Sequence, residues 1–151
     1  MTHMSAVVVR PVEPADREAW APLFAAYREF YDLEEEPQVV DRVWGWLNDR
    51  AHELNALVAL VDQEVVGFAH HRFYVRPSEG SCGLFLDDLY TLPVVRGRCV
   101  GRALINRLAE LAGQHGCAKV RWVTAPDNVT AQRLYDDMAD RTDWLTYDLL
   151  V

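Results

Sequence analysis

Arg96, Arg98 and Arg102 fall within one short stretch, interleaved with Gly97 and Gly101 and followed by Ala103. Small residues let a backbone approach a ligand closely. The first turn of a helix leaves N–H groups unpaired, and its dipole adds partial positive charge. With three guanidinium groups beside it, such a turn suits a pyrophosphate. Two other phosphate loops fit worse. A P-loop needs Lys-Ser or Lys-Thr after its last glycine, where this chain has Arg102-Ala103, and the dinucleotide fingerprint GxGxxG is absent. The plainer reading is a basic helix start after an ordinary turn.

Upstream, Asp87 and Asp88 are consecutive in an apolar run. On a strand, neighbours point to opposite faces of the sheet. Carboxylates inside a strand can take a proton from an amine or bind a cationic one, or they can be satisfied by an arginine or the backbone. His70 and His71 sit in the preceding run, so one is expected on each face. Tyr135 has an ordinary pKa near 10. As an aromatic beside Leu134 on an amphipathic helix, it also reads as core. Glu34, Glu35 and Glu36 form a charge run, usually a solvated surface.

The elements that carry these residues follow from periodicity. Val7 to Val9 read as a first strand. Asp16 is a helix cap before Trp20, Leu23, Phe24, Tyr27 and Tyr31, which share one face by steps of three and four. The acidic stretch ends that helix, and a second carries Val40, Val43, Trp44 and Leu47. Residues 56–61, 65–75 and 83–92 read as an antiparallel meander, with a tight reversal at Asp62-Gln63-Glu64 and turn chemistry at residues 77–81. Residues 101–114 form a helix stopped by Gly116. Residues 119–124 form a strand, 128–138 a helix and 144–150 a final strand. A meander followed by strand, helix, strand, helix and strand implies an α/β (α+β) fold, with a mixed, mostly antiparallel sheet flanked by helices.

The 151 residues suit a single domain, here residues 6–151, with residues 1–5 set aside. No stretch is long and apolar enough to span a bilayer, and no secretory pattern is visible, so a cytoplasmic, membrane-free protein is expected. The net charge of −8 disfavours nucleic acid as a partner and is compatible with a cationic substrate. Cys82, Cys99 and Cys117 lack metal-ligand spacing; free thiols and no metal are expected.

Arg96-Gly97-Arg98-Cys99-Val100-Gly101 resembles the (Arg or Gln)-x-x-Gly-x-(Gly or Ala) signature of the GNAT superfamily, with Cys99 in place of the first signature glycine. Asn128, Ala131, Leu134 and Tyr135 are similar to its downstream Asn-x-x-Ala-x-x-Leu-Tyr pattern. Order and spacing agree from Ala56 to the C-terminus. Phe85-Leu86-Asp87-Asp88-Leu89-Tyr90 looks like the strand of the spermidine/spermine and small fungal histone or polyamine acetyltransferases. Ala139-Asp140 departs from the Gly-Phe pair that often follows the last helix.

The resemblance implies an acyl-CoA N-acyltransferase fold and direct transfer of acetyl from acetyl-CoA to a primary amine, such as a polyamine, a lysine or another small amine. It implies that Tyr90, Thr91 and Leu92 pair with the pantetheine arm through their backbone. Arg96, Gly97, Arg98, Cys99, Val100, Gly101, Arg102 and Ala103 would hold the pyrophosphate, and Asn128 the pantetheine. Tyr135 is the implied general acid and also contacts the cofactor, and Asp87 is the implied base. Asp88 and Glu35 are candidates for binding the acceptor. A homodimer is the implied assembly. A non-catalytic acyl-CoA-binding module is the alternative.

Overall fold

The computed structural model describes residues 6–96 and 99–151. Gly97 and Arg98 of the arginine-rich loop therefore lie outside the described residues. Five strands form one sheet in the order β1-β2-β3-β4-β5: β1 (Val8–Pro11), β2 (Asn55–Val61), β3 (Glu64–Arg76), β4 (Ser81–Thr91) and β5 (Val120–Arg121). The first three pairings are antiparallel, and β4 pairs with β5 in parallel. The helices are α1 (Arg17–Phe30), α2 (Pro37–Leu47), α3 (Val100–Gln114) and α4 (Val129–Met138). The expected mixed, mostly antiparallel sheet flanked by helices is present.

Alternation along the strands builds two cores. In β2, Leu57 and Ala59 point to the face covered by α3, where Leu84, Leu86, Val100, Leu104, Ile105 and Leu108 are buried. Val58 points to the opposite face and meets Trp20, Leu23 and Phe24 of α1, Val43 of α2 and Phe68. Side chains of period two serving both faces make a sheet sandwiched between helix layers. The β2–β3 reversal uses Asp62 at φ 51° and Gln63 at φ 68°. Two consecutive left-handed residues match the right-handed twist of the flanking strands.

Four expectations are corrected. Asp16 makes no side-chain cap on α1. Its carboxylate instead takes two hydrogen bonds from the Arg10 guanidinium, at 2.7 and 2.9 Å, and one from the Glu13 N–H. Those bonds hold its pKa below the usual carboxylate range against the opposing effect of burial. Cys82 and Cys117 are joined in a disulfide, leaving Cys99 as the free cysteine. The parallel β4–β5 pairing brings the start of β4 beside the segment after α3, a proximity that sequence spacing does not reveal. Residues 119–124 contribute only Val120–Arg121 as strand. Residues 144–150 are not a strand: beyond α4 the described chain pairs with no strand and exposes its apolar side chains. No helix among the described residues is long and apolar enough to cross a membrane.

Candidate active site

The parallel ladder between β4 and β5 covers only Leu84↔Val120 and Phe85↔Arg121. Beyond Phe85, β4 continues to Thr91 with no described strand on that side, while its other edge stays paired with β3. The two strands part, and the opening holds a cavity of about 430 Å³. Its walls come from the end of β4 (Leu89, Tyr90, Thr91), Cys99 and the start of α3 (Val100, Gly101, Arg102), Asn128 and α4 (Leu134, Tyr135), and Tyr27 of α1 with Tyr31 just beyond it. Arg96 also lines it. Tyr90, Thr91, Arg96, Cys99, Val100, Gly101, Arg102, Asn128 and Tyr135 are thus brought together around one opening. Leu92 and Ala103 do not line it; the Leu92 N–H donates to Val66 O at 2.8 Å, and the Ala103 N–H donates to Cys99 O at 2.9 Å.

The loop geometry explains its composition. Cys99 precedes α3 at φ 62° and ψ 23°, a left-handed conformation. Glycine adopts it freely and other L-residues pay for it. A Cβ on Gly101 would stand 3.3 Å from Leu134 Cδ2, so the bare Cα lets α4 approach the first turn of α3. Arg102 reaches across to Asp137 of α4 at 2.5 Å, tying the two helices at the rim.

On β4 a bulge changes the expected geometry. His70 pairs with Asp88 and His71 with Leu86, so Asp87 is the extra residue. An extra residue resets the alternation. Asp87 and Asp88 therefore do not face opposite sides: both open onto a second cavity of about 290 Å³ on the α1/α2 face, with Phe24, Trp46, His52, Glu53, His70 and Arg72. The two histidines do separate, His70 toward this face and His71 toward the other.

The two carboxylates differ in company. The single Arg72 Nε–H is shared between the two carboxylate oxygens of Asp87, at 3.1 and 3.2 Å. Burial nevertheless raises its pKa, with the charge of Asp88 adding to that and Arg72 opposing it. Asp88 lies 2.8 Å from His70 Nδ1 and hydrogen-bonds Tyr27. The Trp20 indole N–H donates to His70 Nε2 at 3.0 Å. Indole nitrogen only donates, so Nε2 accepts and the proton sits on Nδ1, aimed at Asp88. Burial would push Asp88 up, but its bonds to His70 and Tyr27 outweigh this and leave its pKa below the ordinary value. Tyr27 spans the arrangement: it lines the larger cavity and bonds the carboxylate that lines the smaller one.

Tyr135 packs edge-on against Trp122 at 5.3 Å between centroids. Burial, helped by Tyr31, pushes its hydroxyl up to about 12, so it holds its proton at neutral pH. His71 is buried with Nδ1 lacking a partner among the described residues, and burial with neighbouring His70 lowers its pKa to about 4. Glu35 is exposed and lines neither cavity. Sequence reading missed Tyr27 as a polar group, because its helical spacing marked it only as one of the buried face. It also missed Arg72 as the partner of Asp87 and Trp20 as the donor to His70. No group of three or more metal-ligating side chains occurs among the described residues.

Residues 19–139 match the acetyltransferase (GNAT) family, and the chain belongs to that family. It is an acetyl-CoA-dependent N-acetyltransferase. It is similar to a D-amino-acid N-acetyltransferase, HPA3, of Saccharomyces cerevisiae, with 31% identity over 93% of this chain and 89% of that one. A thialysine N-epsilon-acetyltransferase of Mus musculus is 30% identical over 55% of this chain and 51% of its own length. Among solved structures, a ribosomal-protein-alanine N-acetyltransferase from Brucella melitensis superposes with a TM-score of 0.82 and 27% identity, covering 97% of this chain and 99% of that one.

Proposed function

We propose that residues 6–151 act as one catalytic domain that moves the acetyl group of acetyl-CoA directly onto a cationic primary amine. The observation that carries this reading is the opening between β4 and β5, placed next to a cavity bearing Asp87 and Asp88. The free edge of β4 at Leu89, Tyr90 and Thr91 offers backbone groups to an extended pantetheine arm, as an added strand would. Arg96, Arg102 and the first turn of α3 would hold the pyrophosphate, with Cys99 and Gly101 as the close-approach positions. Leu92 and Ala103 act through the backbone that frames the loop. Asn128 would bond the arm from the α4 side.

In the transfer the amine nitrogen attacks the thioester carbonyl, and the carbon–sulfur bond breaks. A backbone N–H at the end of β4 would stabilise the oxyanion. Tyr135 would give its proton to the departing thiolate. The amine must first lose its own proton, and the acidic pair on the second cavity would accept it through water. Asp87 keeps the role of base, since burial raises its pKa. Asp88, held by His70 and Tyr27, binds the ammonium form and orients it. Glu35 stands outside both cavities and would act only as a distant charge.

The names of the relatives point to amino-acid or lysine-like acceptors, and the paired carboxylates suit a small cation of either kind. The enzyme would work as a homodimer in the cytoplasm. The test is CoA release over a panel of D- and L-amino acids, thialysine, lysine, polyamines and aminoglycosides, run beside acetyl-CoA binding. Turnover on cationic primary amines is expected. Tight acetyl-CoA binding with no release on any amine would leave only an acyl-CoA-binding module.

A further inference from the structure

His70 is a titratable group sealed in the core. It is 1% exposed, and Trp20 beside it is 0% exposed. Phe24 and Phe68 close the imidazole in, with ring centroids 5.0 and 4.6 Å away. A buried polar group needs a partner, and both ring nitrogens have one. Asp88 Oδ2 lies 2.8 Å from Nδ1, and the Trp20 Nε1–H donates to Nε2 at 3.0 Å.

The two partners are of opposite kinds. An ionised carboxylate only accepts, and an indole N–H only donates. A neutral imidazole has one donor and one acceptor, so a single tautomer satisfies both. An imidazolium has two donors, and its Nε2–H would point at the indole N–H. Trp20 therefore opposes the charged form of a residue type that commonly titrates near neutrality.

The surroundings give that opposition a consequence. From β4 come Asp88 and Asp87, and from α1 the Tyr27 hydroxyl, bonded to Asp88. From β3 come His71, directed to the opposite face, and Arg72, held by Asp87. β2 brings Ala56 opposite His70. His52 and the exposed Glu53 line the same cavity, to which α2 adds Val43 and Trp46. Arg72 offsets Asp87, so Asp88 is the member of the pair whose charge is left for a cation. Tyr27 keeps its proton, since burial and the charge of Asp88 push its pKa up. With His70 neutral, both donors to Asp88 are uncharged. A proton on Nε2 would cancel the charge of Asp88 at its source.

We propose that Trp20 is a positioning residue of the acceptor site. Its indole N–H holds His70 in the neutral Nδ1–H form, which keeps Asp88 an uncompensated anion for the acceptor ammonium. The role of Asp88 rests on the amine-transfer reading above, whereas the lock on His70 is open to measurement without turnover. Trp20→Phe keeps an aromatic ring and removes the donor. Nε2 is then free to take a proton, and acid conditions weaken amine binding.

The first measurement is nitrogen NMR of the His70 ring in the full chain, from about pH 5.5 to about pH 8. The wild type should hold the neutral Nδ1–H form throughout. In Trp20→Phe the imidazolium should grow in as pH falls. The second measurement is KM over the same range for the best amine of the panel. The ratio of Trp20→Phe to wild type should rise about tenfold from the basic to the acid end, roughly 1.4 kcal/mol, while the same ratio for acetyl-CoA stays constant. His70→Asn is the control, because asparagine can still donate to Asp88 but takes no proton. Adding Trp20→Phe to His70→Asn should leave no acid dependence. An imidazolium or an Nε2–H tautomer in the wild type overturns the proposal, and that result needs no variant to fold. So does a Trp20→Phe spectrum that matches the wild type, or an amine KM ratio that stays flat. An acid-dependent ratio that persists on the His70→Asn background also overturns it and makes Trp20 a packing residue only. If no amine turns over, the transfer reading fails, while the spectrum still decides the lock.

Discussion

Replacing Cys99 by glycine should make this enzyme more stable, although it removes a side chain. Cys99 sits at φ 62° and ψ 23°, immediately before α3. An L-residue in that region costs about 1–2 kcal/mol. Glycine avoids the cost but loses more freedom on folding, about 0.4–1 kcal/mol. The difference is a gain of about 1 kcal/mol. The thiol is exposed, so no packing is lost in exchange. For a chain of this length that gain moves the midpoint by roughly 2–4 °C. The assay is calorimetric unfolding of Cys99→Gly beside Cys99→Ala. Alanine keeps the left-handed strain while removing the sulfur, so it should melt with the wild type. Acetyl-CoA should bind the glycine variant at least as tightly, because the turn lines the larger cavity. A glycine variant no more stable than the alanine variant would refute the strain argument.

Three further outcomes follow from the geometry. Tyr135→Phe keeps the contact with Trp122 but removes the proton, so kcat should fall about 10²–10⁴-fold with acetyl-CoA affinity nearly unchanged; steady-state kinetics with retained turnover would remove the tyrosine as the acid. Asp88→Asn should raise the amine KM roughly tenfold, about 1.4 kcal/mol of binding, while the acetyl-CoA KM holds; equal rises in both would point to a collapsed site instead. His71 is held neutral, with its pKa lowered from 6.5 to about 4. The unfolded chain therefore binds the extra proton first, and stability present above pH 6.5 drains away as pH falls toward 4, by up to roughly 3 kcal/mol. Denaturant melts of His71→Phe should show a flatter profile over that window, and an unchanged slope would discount the residue.

Periodicity and turn chemistry made most of the fold legible. Steps of three and four marked the buried face of α1, apolar runs bounded by turn residues marked β2 and β3, and Asp62-Gln63 marked their reversal. The arginine-rich loop and the residues of α4 were legible because their pattern is local: small residues, arginines and a helix start adjoin in the chain. The acidic pair was visible, but its geometry was not. A bulge is a mismatch between two strands, and Asp87 becomes the extra residue only when β4 is laid against β3. The residues that distinguish the two carboxylates, Arg72 and His70 of β3 and Tyr27 of α1, with Trp20 of α1 behind His70, come from two elements far apart in the chain.

The C-terminus shows the same division from the other side. Alternating apolar residues after Asp143 announced a strand, because that period is a property of the segment alone. Whether a strand forms depends on an edge to pair with, and backbone donors and acceptors are satisfied only across chains brought together in space. Beyond α4 the described segment pairs with no strand and leaves its apolar side chains exposed. The sequence by itself determined which residues suit a sheet or a helix, and where small and basic residues meet at a helix start. Only the tertiary structure decided that both aspartates share one cavity, that Cys82 meets Cys117, and that the last apolar segment pairs with no strand. Each of those outcomes depends on distances between segments that are remote along the chain.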